Sequence, residues 1–197
     1  MFSSETRHKY SSIAPNRLDT GTAGGTIVGF GEQDFALVQL YWEAGSYDDR
    51  YITRIGSMDP ALIYDGGRYV SSNYAFFSPA FSDTVPMALP GAGLGSAGAV
   101  YPTKNTYVVA GIHDANGKRT TSGFNTFFDE GEYFTAVEIG WFPFVDQANE
   151  GLYHVTFWNI DARQGAERPS DRGIAATLEQ PLGREGKYVP FLRYAYA

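Results

Sequence analysis

The chain has no cysteine among its 197 residues. Disulfide frameworks, thiolate metal sites and cysteine nucleophiles are therefore excluded. The three histidines are not spaced as metal-ligand pairs, so we expect no metal site and no cofactor. Basic residues are outnumbered, at 15 against 22 acidic residues, and the net charge of -7 argues against a basic patch that binds nucleic acid.

Long hydrophobic runs are also missing. The longest uncharged run, at 84–103, contains three prolines, so it cannot form a helix that spans a membrane. Aromatic residues are abundant by contrast, with 14 Tyr and 14 Phe, and the chain has 23 Gly. Such a composition favours β-strands joined by tight turns.

The second half of the chain contains four segments in which apolar and polar residues alternate, at 133–142, 151–160, 172–181 and 187–196. Each has about ten residues, the length at which a tilted strand crosses a bilayer. One face of each segment is apolar, and the other carries the polar residues. This pattern predicts an all-β, antiparallel transmembrane β-barrel. The alternation also fits a soluble β-sandwich with the apolar face as its core, which we keep as the less favoured alternative.

The first half is less regular. Residues 1–34 predict an irregular N-terminal segment, with a short strand near 25–31. The alternating stretch at 36–43, the turn at 45–49 and the stretch at 50–57 predict a hairpin. In all, we expect about eight strand-length segments in a single domain at 35–197.

Several short motifs resemble one protein family. The run QLYWEAGSYDDRYITRIGSMDPALIYD at 39–65 is similar to the strand, turn, strand and Gly-x-x-Asp-Pro signature of the carbohydrate-selective porins, the OprB family. LPGAGLGSAGAVYPTKNTYVVAGIHDANG at 89–117 resembles the family's Gly-rich strand, its hairpin over Pro-Thr-x-Asn and its Ala-Gly-x-x-Asp-Ala-Asn turn. GFN, AVEIGW, GLYHVTFWN and ATLEQPL follow in the same order, so the resemblance covers 35–197.

The resemblance implies a Gram-negative outer-membrane channel with a narrow polar lumen, through which small sugars such as glucose diffuse passively. It also implies contact with outer-membrane lipid, and it leaves a homo-oligomer open. Water-filled porins have roughly 16–18 strands, about twice the number expected here. The family's last strands and most of its N-terminal region are not recognisable, and the start lacks the apolar core of a signal peptide. We therefore interpret the sequence as part of a larger barrel or as an unusually short relative.

On this interpretation the polar strand faces point into the lumen. Arginine can donate hydrogen bonds to sugar hydroxyls, glutamate can accept them, and an aromatic ring can stack on the apolar face of a sugar. We expect Arg54 and Arg193 to donate, Glu138 and Glu179 to accept, and Trp158 to stack. A purely structural role, as ion pairs or as an interfacial aromatic girdle, is the alternative. The candidate lumen residues are Gln39, Glu43, Arg54, Glu138, His154, Trp158, Glu179 and Arg193.

Other functions remain as alternatives. Glu138 and Glu179 could form the carboxylate pair of a glycosidase, but nothing in the sequence marks either as an acid with a raised pKa. No G-x-S-x-G nucleophile motif occurs, and we expect no enzyme. The remaining alternatives are a soluble eight-stranded barrel that binds a small ligand and an outer-membrane barrel without sugar preference.

Overall fold

Each strand of the sheet pairs antiparallel with the strand that follows it in the chain. A computed structural model describes residues 2–8, 35–46, 50–68, 86–118, 121–145 and 147–197. In these ranges nine strands form one sheet in sequence order, with β1 at one edge and β9 at the other. The strands are β1 Phe2–His8, β2 Phe35–Gly45, β3 Tyr51–Met58, β4 Gly93–Thr103, β5 Thr106–Asp114, β6 Tyr133–Trp141, β7 Leu152–Ile160, β8 Asp171–Glu179 and β9 Phe191–Tyr196.

The all-β prediction is confirmed, and two local expectations differ from the structure. Strand β1 lies within 1–34, which we expected to be irregular; Phe2 is its one strongly apolar residue, so alternation there is weak. The strand expected near 25–31 lies outside the described residues. Strand β9 begins later than expected, because Tyr188 pairs with Leu182 in a separate bridge and Pro190 has no N–H to donate.

The sheet has one apolar exposed face and one polar buried face. In β6, Val137 and Ile139 point outward, whereas Ala136 and Glu138 are buried on the inner side. The same alternation runs through β7 and β8, as predicted. Large apolar side chains between 42% and 67% exposed cover the outer face: Leu40, Trp42, Tyr51, Ile55, Val100, Val137, Ile139, Trp141, Phe157, Leu178, Leu192, Tyr194 and Tyr196.

The inner face is covered in part by the connection between β3 and β4. Asp59 accepts a hydrogen bond from the backbone N–H of Ala61 at 3.1 Å, and Pro60 occupies the first position of a short 3-10 turn, Pro60–Leu62. Proline is suited to this position because its φ is already close to the helical value. The turn directs the following residues onto the inner face. We call residues 59–68 the inserted segment.

Tyr64 of the inserted segment packs into the apolar part of the inner face. Its hydroxyl lies 3.2 Å from Nε2 of His113, and its ring lies against those of His113 and Phe134. Phe134, Trp158 and Ile160 belong to the same buried cluster. This cluster fixes the middle of the inserted segment through Tyr64. In the described part of the chain no helix is long and apolar enough to cross a membrane.

Candidate functional site

The inserted segment meets β6 through the buried carboxylate of Glu138. The backbone N–H of Asp65 donates to Glu138 Oε2 at 2.6 Å, and the Thr156 hydroxyl donates to the same oxygen at 2.6 Å. The Tyr107 hydroxyl donates to Oε1 at 2.7 Å. Glu138 is 2% exposed. Its charge is therefore held by three protein donors rather than by water, as a buried carboxylate requires.

The side chain of Asp65 extends the contact to the next two strands. Its Oδ1 lies 3.0 Å from Nε2 of His154 on β7 and accepts the hydroxyl of Thr177 on β8 at 2.8 Å. All three side chains are buried. Asp65 therefore connects the inserted segment to β6, β7 and β8 at once.

A second glutamate holds the far end of the inserted segment. The backbone N–H of Arg68 lies 3.2 and 3.0 Å from the two oxygens of Glu179, which is fully buried. Two guanidinium groups lie nearby, with Arg68 Nε and Arg193 Nη2 each 4.0 Å from a carboxylate oxygen. Arg68 Nη2 also donates to the backbone oxygen of Glu150 at 2.9 Å.

Between the inserted segment and the strands lies a cavity of about 510 Å³. Three aromatic rings line it: Tyr107 lies with its centroid 6.3 Å from that of Tyr101 and 5.2 Å from that of Phe142. The charged residues Arg54, Arg68, Glu138 and Glu150 belong to the same lining. The arrangement offers stacking surfaces beside hydrogen-bond donors and acceptors.

Arg54 reaches the cavity from β3 and is oriented by neighbours on β2. Its Nε donates to Glu43 Oε2 at 2.6 Å, and its guanidinium lies 5.1 Å from the centre of the Tyr41 ring. The two charged side chains are 35% and 29% exposed. Solvent screens such a half-exposed pair, so it orients Arg54 more than it stabilises the fold.

The structure divides the eight sequence-predicted residues into three groups. Arg54 and Glu138 line the cavity, and Glu43 supports Arg54. His154, Glu179 and Arg193 lie around the contacts of the inserted segment and outside the cavity lining. Trp158 is 4% exposed in the apolar cluster, and Gln39 lies on β2; both are also outside the lining.

Sequence reasoning missed Asp65, Arg68 and the three cavity aromatics. One signal was available for Tyr107, which is paired in register with Gly140. A Cβ added at Gly140 would overlap the Tyr107 ring, so the glycine leaves the space that the ring occupies. A glycine on the inner face opposite an aromatic residue therefore indicates where a ring lies flat on the sheet.

Two ionisable groups outside the strands have shifted pKa values. Burial raises the pKa of the Tyr64 hydroxyl, and the nearby Glu138 carboxylate raises it further. This keeps the hydroxyl protonated beside His113. Hydrogen bonds from the backbone N–H of Gln164 and from Asn116 lower the pKa of Glu132, which directly precedes β6. Glu132 thereby joins two loops at one end of the sheet.

Comparison with known proteins gives a family and a fold. The model of the carbohydrate-selective porin, OprB, family matches residues 9–192. A solved structure, the high-pH structure of Pseudomonas putida OprB, superposes with a TM-score of 0.56 at 12% identity and covers 82% of this chain. The alignment spans 44% of that protein, less than half its length. No curated protein matches the chain. These findings confirm the porin fold and the outer-membrane location expected from the sequence.

Proposed function

The chain belongs to the carbohydrate-selective porin family, OprB, and we propose on this premise that it forms part of a channel for passive diffusion of small sugars such as glucose. The observation that carries the proposal is the cavity between the inserted segment and β3 to β7. Its lining combines three aromatic rings with two arginines. Porins are channels rather than enzymes, so the site has to bind without reacting.

A hexose presents two kinds of surface, and the cavity offers a match for each. The apolar C–H face can stack on Tyr101, Tyr107 or Phe142, and the hydroxyls can accept hydrogen bonds from Arg54 and Arg68. Several shallow contacts suit a channel better than one deep pocket, because a tightly held solute would not leave. The cavity is partly open along the inner face, which is consistent with weak binding.

The roles expected from sequence change in part. Arg54 keeps its role as a donor to sugar hydroxyls. The stacking role passes from Trp158, which is buried in the apolar cluster, to the rings that line the cavity. Arg193, His154 and Gln39 lie behind or beside the cavity, so we assign them no direct sugar contact.

We further propose that the outer face contacts lipid. Its apolar side chains are exposed while charged groups such as Glu138 and Glu179 are buried, the reverse of a soluble sandwich. A row of alternating outward apolar residues is what a bilayer requires of a spanning strand. This observation disfavours the soluble ligand-binding alternative. The homo-oligomer stays a prediction.

A flux comparison tests the sugar proposal. Native protein and a Tyr101→Ala variant are reconstituted in liposomes, and swelling rates are compared in glucose and in triethylene glycol, a neutral non-sugar of similar size. We expect native protein to prefer glucose and Tyr101→Ala to lose that preference. The control is Tyr194→Ala, which removes the same ring from the outer face. Equal swelling in both solutes for native protein would instead identify a barrel without sugar preference.

A further inference from the structure

We infer that Glu138 and Glu179 are positioning residues that hold the inserted segment against the inner face and so set the width of the cavity. They do this together with Asp65. The part of the inference that concerns glucose preference rests on the proposed function. The part that concerns ion conductance does not. It replaces the direct contact with sugar hydroxyls that the sequence suggested for both glutamates.

The first argument is the direction of the hydrogen bonds. In both contacts the inserted segment offers a backbone N–H and the strand offers a carboxylate: Asp65 N to Glu138, and Arg68 N to Glu179. A hydrogen bond between a neutral N–H and an ionised carboxylate is roughly twice as strong as a neutral one. Burial also denies both carboxylates water as a substitute partner. Leaving either charge unpaired would be costly, so the inserted segment is held closely.

The second argument is that little accepting capacity remains for a sugar. A carboxylate offers about four lone-pair sites. Glu138 already receives three donors, from Asp65, Thr156 and Tyr107, and it is 2% exposed. Glu179 is fully buried beneath Arg68 and is not part of the cavity lining. A solute in the cavity therefore finds little accepting capacity left on Glu138, and it does not reach Glu179.

The third argument is the spacing between the two anchors. Gly66 and Gly67 lie between Asp65 and Arg68, and both line the cavity. A Cβ added at Gly67 would overlap the carboxylate of Glu179, whereas one at Gly66 would meet nothing within 4 Å. Gly67 thus allows the backbone to approach the strand, and the two anchors hold this short stretch flat. Release of the anchors would let this stretch move away from the strands and widen the cavity.

The positioning role predicts that loss of either attachment of residue 65 has the same effect. One attachment is the Glu138 carboxylate, which accepts from the backbone N–H of this residue, and the other is the Asp65 side chain, which contacts His154 and Thr177. Channels from native protein, Glu138→Ala, Asp65→Ala and the double variant are compared in planar bilayers for ion conductance and for glucose preference over triethylene glycol. We expect each single variant to raise conductance and to lose the glucose preference. The double variant should add little to the larger single effect, because the Glu138 carboxylate and the Asp65 side chain hold the same residue of the inserted segment against the inner face. Asp129→Ala, an exposed carboxylate away from the cavity, is the control and should match native protein.

A reversible tether separates positioning from direct contact. Because the chain has no cysteine, Asp65→Cys with Thr177→Cys provides a unique pair of thiols, which a short bifunctional thiol reagent can bridge. The native side-chain oxygens at these positions lie 2.8 Å apart. In the Glu138→Ala background, we expect bridging to return conductance and glucose preference to native values. Cleavage of the bridge should raise the conductance again and remove the glucose preference. Asp65→Cys with Thr177→Cys is also made with Glu138 intact, in case Glu138→Ala does not fold. Conductance and glucose preference are then compared between its bridged and cleaved forms.

Two results would overturn the inference. One is a Glu138→Ala channel with native conductance and a lowered glucose preference, which identifies direct contact with sugar. The other is a bridged channel that keeps the altered conductance. Failure of the proposed function is distinguishable, because native protein would then show no glucose preference while the conductance changes still report on the inserted segment.

Discussion

The amide nitrogen of Asp65 lies 2.6 Å from Oε2 of Glu138, although 73 positions separate the two residues in the sequence. The donor is a main-chain group, so no particular side chain at position 65 is needed for this bond. Aspartate adds the contacts to His154 and Thr177. One residue of a loop is thereby joined to three strands, so these strands determine where the loop lies.

Arg54→Ala should reduce glucose flux more than triethylene glycol flux, because it removes a cavity donor. Its pair with Glu43 is about a third exposed, so we expect the free energy of unfolding to change by no more than about 1 kcal/mol. Liposome swelling and urea unfolding measure the two effects. Glu43→Ala removes the same pair but leaves the guanidinium, and it should have the smaller effect on flux. Equal slowing of both solutes in Arg54→Ala would contradict the role.

Gly140→Ala should disturb the cavity from a position that is not part of its lining. The added methyl group would overlap the Tyr107 ring and displace its hydroxyl from Glu138. Overpacking of this kind destabilises by about 1–3 kcal/mol, and the displaced ring should reduce the glucose preference. Gly165→Ala, in the turn that follows β7, places the same methyl group in open space away from the cavity and serves as the control. Native glucose preference in Gly140→Ala would show that the Tyr107 ring position is unimportant.

Val137→Arg tests the outer face. Val137 lies at the centre of β6 and is 42% exposed, and a charge at the middle of a lipid-facing strand costs about 2–4 kcal/mol. The free energy of unfolding in lipid vesicles should fall by that amount. Leu182→Arg, at an exposed position outside the strands, should change it little. If Val137→Arg were as stable as native protein, the outer face would be in water.

Acid should weaken the junction between the loops before β6 and after β7. The pKa of Glu132 is lowered in the folded state, so its hydrogen bonds stabilise the fold above the unfolded pKa, and this contribution is lost as the pH falls through the folded value. The protection of the Gln164 amide against hydrogen exchange, measured relative to the intrinsic exchange rate, should therefore fall only below about pH 4.5, the ordinary pKa of a glutamate. In Glu132→Gln the protection should not depend on pH in this range. A native profile in that variant would assign the titration to another group.

The strands were predictable because they obey a simple rule. Alternation with a period of two separated inner from outer residues correctly through β6, β7 and β8. It placed Glu138, His154 and Glu179 on the polar inner face, which the structure shows to be buried. Strand β1 was not predicted, because apart from Phe2 it has no strongly apolar residue and so shows no alternation. The alternation tells on which face of the sheet a side chain lies, but it does not tell which part of the chain covers that face.

The candidate site was therefore only half predictable. Arg54 and Glu138 follow from strand parity, but Asp65 and Arg68 lie in a loop without periodicity and meet strand residues far along the chain. The burial of Trp158 outside the cavity was not predictable for a related reason. It is paired in register with Gly173, where a Cβ would overlap its ring, so the ring lies flat and buried on the sheet. Parity alone does not distinguish a covered aromatic residue from an open one.

The most direct test of sugar binding in the channel is the ion current through single channels of the native protein as glucose is added. Weak binding in the cavity predicts that glucose reduces the current and that the reduction saturates with concentration, while triethylene glycol produces no saturation. A current that glucose and triethylene glycol change in the same unsaturated manner would contradict the account and leave a barrel without sugar preference.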